Sequence, residues 1–126
     1  MNIAIILAAG SGTRMGNASV PKQFLMIYNK PIVVHTIEQF EMHFDIDEIV
    51  VVTKKDYIDE IKVWIRQFDL SKVHHVVEGG DTRQASVYNG LLAIAPFAKN
   101  DDIVLIHDSA RPLVNGRIIS DNIEGA

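Results

Sequence analysis

Apolar positions along the chain follow two alternating rhythms. Short runs rich in Val and Ile occur at "IAIIL" (Ile3 to Leu7), "EIVVVT" (Glu48 to Thr53), "VHHVV" (Val73 to Val77) and "DIVLIH" (Asp102 to His107). Runs of this length and composition predict β-strands. The first two and the last are continuous enough to be covered on both faces. Between them the apolar spacing widens to the helical period. Val33, Ile37 and Phe40 predict a helix opened by Pro31, whose missing N–H costs nothing in a first turn. Ile58, Ile61, Ile65 and Phe68 stripe a second helix. Val87, Leu91 and Ile94 give a third its buried face, with Asp81 as its cap and Gln84 three residues on, as in a capping box. A last helix is expected from near Gly116, still running at Ala126. The β-α-β-α alternation predicts an α/β fold: a Rossmann-like three-layer sandwich with a mainly parallel sheet and right-handed crossovers. We expect one domain over residues 1–126.

Composition narrows this picture without redirecting it. With 126 residues, 48% of them hydrophobic and 22% charged, the chain can bury a real core. No apolar run approaches the roughly 20 residues of a membrane span. The start flows straight into a strand pattern with no basic leader region, so no signal peptide is expected. Cysteine is absent, which excludes disulfides and thiolate chemistry and suits a cytoplasmic address. A net charge of −4 argues against a broad nucleic-acid-binding face. A small anion could still bind where a few cations converge.

Three segments carry residues that strand and helix formation do not require, and each follows a predicted strand. In open α/β sheets that edge forms the ligand crevice. The first is "LAAGSGTRMG" with "PKQF" behind it. Gly10, Gly12 and Gly16 remove Cβ atoms where amide N–H groups could face an anion. The register misses the dinucleotide G-x-G-x-x-G by one residue, and no Walker A Gly-Lys-Ser/Thr follows. The loop is either a strand-exit turn or a phosphate cradle; Arg14 and Lys22 favour the cradle, because two cations suit a polyphosphate. Lys30, Lys54, Lys55, Lys62 and Lys72 read as solvated surface charges.

The second segment is "EGGDTRQASVYNG". Arg83, Ser86 and Gly90 share one helix face, opposite the Val87–Leu91 stripe, and could admit a flat base. An ordinary capped amphipathic helix would carry the same residues. The third is "HDSARP". Asp108 is either a turn residue or a Mg²⁺ ligand, since Mg²⁺ favours few carboxylates together with substrate phosphates. His107 reads as a packing residue, and none of the histidines has metal-motif spacing.

With these residues in view, the chain resembles the methylerythritol phosphate cytidylyltransferase family, within the nucleotidyltransferases that activate sugars and polyols. "LAAGSGTRMG", "PKQF", "GGDTRQASVYNGL" and "HDSARP" look like that family's successive motifs, in order. The resemblance covers nearly all 126 residues. It implies a nucleotidyltransferase fold and transfer of CMP from CTP to a polyol phosphate, with release of pyrophosphate. It implies that Arg14 and Lys22 stabilise the transition state, and that Ala8, Ala9, Gly10 and Gly12 line the nucleotide. Gly80, Asp81 and Ser86 would read cytosine, Asp108 would hold Mg²⁺, and Arg111 would face the polyol. It further implies a longer chain that forms a homodimer when full length. Ser109 stands where the erythritol branch more often has alanine, while "KPIVVHTIEQF" and "RIISDNIE" look like the ribitol phosphate branch. A non-catalytic nucleotide-binding module is the alternative of another class.

Overall fold

The computed structural model describes residues 1–9, 26–27 and 30–109. Its elements are β1 (Asn2–Ala8), β2 (Met26–Ile27), β3 (Lys30–Pro31), α1 (Ile32–Glu41), β4 (Glu48–Thr53), α2 (Ile58–Gln67), β5 (Val73–Glu78), α3 (Arg83–Ile94) and β6 (Ile103–Asp108). The main sheet is four-stranded, in the order β5-β4-β1-β6, and every pairing in it is parallel. β2 and β3 form a separate antiparallel pair. The helix predicted from near Gly116 lies outside the described residues.

Alternation along the two central strands explains the layering. Ala4, Ile6 and Ala8 of β1, with Ile49 and Val51 of β4, face one core, where Val33, Ile37 and Phe40 of α1 and Ile61 of α2 are also buried. Ile3, Ile5 and Leu7, with Val50 and Val52, face a second core closed by Ile94 of α3. Helices thus cover both faces, as unbroken apolar strands require. Ile65 and Phe68 of the α2 stripe pack against the first core without full burial. The chain leaves α2 through Asp69, whose φ of 54° lies in the left-handed region. The Leu70 N–H then bonds the Ile65 carbonyl at 2.9 Å, which closes the helix end in a Schellman-type turn.

Four expectations need correction. β6 shares the apolar pattern of β1, yet Ile106 is 40% exposed. It is the outer strand of the described sheet and pairs only with β1 there. Pro31 does not occupy the first helical turn. It is extended (φ −60°, ψ 148°) and pairs with Met26, so α1 begins at Ile32. The cap of α3 is Thr82 rather than Asp81: the Thr82 hydroxyl accepts the Ala85 N–H at 3.0 Å, which also removes Gln84 from any capping box. Of the expected stripe on α3, Val87 and Ile94 pack against the second core but Leu91 is 40% exposed, and the fully buried residues are Ser86, Gly90 and Ile94. Ile5 and Val52 of the sheet fill the space a larger side chain would need. A Cβ on Gly90 would stand 2.9 Å from Ile5 Cγ2 and 3.1 Å from Val52 Cγ2.

At the opposite edge, the terminal amine of Met1 donates to Asp102 at 2.9 Å. That hydrogen bond raises the amine's pKa above its ordinary value. The Lys99 N–H, with the amine second, holds the Asp102 carboxyl below its own.

Candidate functional site

The carboxyl ends of the parallel strands converge on a cleft of about 730 Å³. Each strand contributes the residues just where its ladder stops. β1 delivers Leu7 and Ala9, β4 is followed by Lys54 and Lys55, β5 ends in Glu78 with Gly79 and Gly80 beyond, and β6 ends at Asp108. Asp81, Thr82, Arg83 and Ser86 complete the wall from the start of α3.

Short contacts fix this rim. The Gly79 N–H bonds the Thr53 carbonyl at 2.8 Å, and the Ser109 N–H bonds the Leu7 carbonyl at 2.9 Å. The Thr36 hydroxyl of α1 reaches the Ser109 carbonyl at 2.8 Å. Gly79 is wedged between strand and helix: a Cβ there would overlap Ala9 Cβ and approach Ser86 Oγ to 2.8 Å. A Cβ on Gly80 would collide with Ala85. The glycine pair therefore lets the loop pass between β1 and α3. Ser86 is 4% exposed, and its hydroxyl accepts the Gly80 N–H at 3.1 Å. Its visible work is to hold the loop while presenting its surface to the cleft.

Of the residues expected at the site, the structure brings Ala9, Gly80, Asp81, Ser86 and Asp108 to one cleft. Ala8 faces the other way: it is 1% exposed, lies in the first core, and is not part of the cleft wall. Gly10, Gly12, Arg14, Lys22 and Arg111 lie outside the described residues. Gly90, suggested as part of a base-admitting face, packs on Ile5 and Val52 instead. His107 packs on Phe40, with ring centroids 5.3 Å apart, as a strand-end residue would.

Lys54, expected as a plain surface charge, is half-buried and lines the cleft, whereas Lys55 is exposed at its rim. The position of Lys54 directly after a buried parallel strand was the available signal. Lys30 and Lys72 did not stay free in solvent either. Lys30 pairs with Glu38 at 3.0 Å, and Lys72 donates to the His43 carbonyl at 2.8 Å.

Asp108 is exposed and lines the cleft. No cluster of three or more His, Cys, Asp or Glu occurs among the described residues. A lone carboxylate at a strand end is the kind of donor Mg²⁺ accepts, since that ion takes one or two carboxylates and completes its shell with phosphate oxygens and water. Among the described residues no helix is long and apolar enough to cross a membrane.

A parallel sheet covered by helices on both faces, with its cleft at the carboxyl edge, defines a Rossmann-like α/β protein, and its solved structural neighbours make it one of the nucleotidyltransferase type. The chain belongs to the 2-C-methyl-D-erythritol 4-phosphate cytidylyltransferase (IspD) family, whose profile matches residues 2–126. It is 48% identical over 124 residues to a ribitol-5-phosphate cytidylyltransferase of Vibrio parahaemolyticus, covering 98% of this chain and 52% of that one. It is 49% identical over 125 residues to a 2-C-methyl-D-erythritol 4-phosphate cytidylyltransferase of Clostridium botulinum, covering 99% of this chain and 53% of the relative. Among solved structures, the 4-diphosphocytidyl-2C-methyl-D-erythritol synthase of Anaerococcus prevotii superposes with a TM-score of 0.79 at 30% identity, over 98% of this chain and 49% of that one. The chain spans about half the length of the curated relatives it matches.

Proposed function

We propose that this chain supplies the CTP-binding half of a cytidylyltransferase that transfers CMP to a polyol phosphate. The observation that carries the reading is the convergence of Ala9, Gly80, Asp81, Ser86 and Asp108 on one cleft at the strand ends. In the reaction, a phosphate oxygen of the polyol attacks the α-phosphorus of CTP. A new P–O bond forms, the bond to the β-phosphate bridging oxygen breaks, and pyrophosphate leaves with that electron pair. A phosphate monoester is largely ionised at neutral pH, its second pKa being about 6. No side-chain base is needed to activate it.

The chain's task is then to bring two anions together. Arg14 and Lys22 would stabilise the charge that builds on the transferring phosphoryl group. Gly10 and Gly12 would give backbone access to the triphosphate, and Arg111 would face the polyol. Gly80, Asp81 and Ser86 would hold the cytosine. Asp108 would hold Mg²⁺, which when bound supplies charge neutralisation on the triphosphate.

We take methylerythritol 4-phosphate as the acceptor. Ribitol 5-phosphate is a second reading, favoured by relatives of that name at nearly equal identity. A cytoplasmic setting and a homodimer of the full-length protein complete the proposal. The test, made on a protein of the relatives' full length that carries this chain, is pyrophosphate release with Mg²⁺ from CTP, ATP, GTP and UTP against each polyol phosphate; the 126-residue chain by itself should transfer poorly or not at all. The expected result is release from CTP with one acceptor. CTP binding with no release under any pairing would favour a non-catalytic binding module. Arg14→Ala and Lys22→Ala should each lower turnover steeply with smaller effects on CTP binding; near-normal turnover would remove that residue from the mechanism.

A further inference from the structure

The edge of the sheet has a direction. Its order β5-β4-β1-β6 puts Asp108 at one end and Gly79–Asp81 at the other. Three strand spacings separate them, about 14 Å at about 4.8 Å each. That span suits a nucleotide laid along the edge. With its phosphates toward Asp108, its base lies over the ends of β4 and β5.

Lys54 stands in that place. Thr53, the last residue of β4, pairs with Ala8 on one side and Glu78 on the other. The next residue therefore leaves the sheet between Ala9 and Gly79. Lys54 is extended (φ −68°, ψ 147°), half-buried, and lines the cleft. Lys55 opens a 3-10 turn and is exposed. Lys30 and Lys72 are engaged elsewhere, but the Lys54 ammonium has no ion pair or hydrogen bond among the described residues. Asp81 lines the same cleft from the next segment.

From this placement we infer that Lys54 is a specificity-determining residue for the base, donating a hydrogen bond to the O2 carbonyl of a bound pyrimidine. The inference rests on the cytidylyltransferase reading and adds a residue to it. An ammonium offers donors only and a carboxylate acceptors only. Cytosine presents the complementary edge: an amino donor at N4, and acceptors at N3 and O2. Asp81 toward N4 and Lys54 toward O2 satisfy both ends of that edge. Adenine has an amino group but no carbonyl where O2 lies. It would leave the ammonium of a half-buried lysine without that acceptor, and a site built around a hydrogen bond rejects a ligand that cannot make it. Uracil keeps O2 and meets Asp81 with a carbonyl instead.

The test measures binding of CTP and ATP, each with Mg²⁺, by calorimetry on the intact chain and on Lys54→Met and Lys62→Met. Lys62 lies exposed on α2 and matches the charge change without touching the cleft. Circular dichroism confirms that each variant is folded. The expected result is a loss of about ten-fold or more in CTP affinity for Lys54→Met, as for a charge-assisted hydrogen bond. ATP binding should stay within about two-fold, and Lys62→Met should match the parent for both nucleotides. Equal weakening of CTP and ATP would overturn the inference, because a diffuse field does not read a base. So would unchanged CTP affinity. In both cases the cytidylyltransferase reading would stand. A parent chain that binds no nucleotide would bring down that reading, and this inference with it.

Discussion

α1 and α3 cover opposite faces of one sheet in opposite ways. α1 buries Ile32, Val33, Val34, Ile37 and Phe40, and apart from Thr36, which bonds the Ser109 carbonyl, its buried face is made of large apolar side chains. α3 buries Ser86, Gly90 and Ile94, and leaves Tyr88, Leu91 and Leu92 in solvent at 60%, 40% and 52% exposure. The first arrangement is a stability element. The second brings a helix backbone close to the sheet and sets its amino-terminal turn against the cleft. Apolar content therefore does not report which helix matters to the site; the small residues do.

The difference can be broken at graded depth. Phe40→Ala should cost about 3–5 kcal/mol of unfolding free energy in urea titration. CTP affinity of the folded fraction should stay intact, since Phe40 lies away from the cleft wall. Loss of affinity without loss of stability would invert the assignment of the two helices. Gly90→Val should cost about 1–3 kcal/mol by overpacking against Ile5 and Val52, and it should also weaken CTP binding by lifting α3. A stabilised variant would mean the close approach is not real.

Thr82→Ala should cost about 1 kcal/mol through the lost cap. Asp81→Ala should leave stability nearly unchanged and weaken CTP instead. The reverse pattern would restore Asp81 as the cap. Leu91→Gln should move stability by less than about 0.5 kcal/mol, as an exposed position does. Smallest of all is the Met1–Asp102 pair, which belongs to neither helix. Its amine has a raised pKa, so that contribution is complete below 8.0 and fades as pH climbs through the folded value. Asp102 has a lowered pKa, so its contribution is complete above 3.8 and fades as pH falls through the folded value. Denaturation midpoints should show a shallow plateau between those limits, and amino-terminal acetylation should remove the alkaline limb.

The same contrast explains what could be read from the chain. α1 was legible because its large residues repeat at the helical period and no competitor shares its face. In α3 the stripe Val87, Leu91, Ile94 and the row Ser86, Gly90, Ile94 share a residue. Which one turns inward depends on how much room Ile5 and Val52 leave, and that is a tertiary fact. β1 and β6 look alike for a related reason. An apolar run records that a strand is β, not how many neighbours it has. At the site, Asp81, Ser86 and Asp108 stood out by falling just after strands. Lys54 falls there too, but a lone lysine is so often a surface charge that residue type hid it. Ala8 and Ala9 show the limit of a motif. It names both, while strand alternation turns only Ala9 to the cleft.

The pairing register has a consequence during synthesis. Ile3 is matched with Glu48 on one side and with Val104 on the other. At a translation rate of about 5–20 residues per second, β1 leaves the ribosome several seconds before the second of those partners exists. Over that interval the segment Ile3–Ala8, fully enclosed in the finished sheet, has one edge open and is the stretch a chaperone would hold. Such long-range parallel pairing also slows folding intrinsically. A nascent chain stalled before residue 103 should expose β1 to such a chaperone, and one extended past residue 108 should release it.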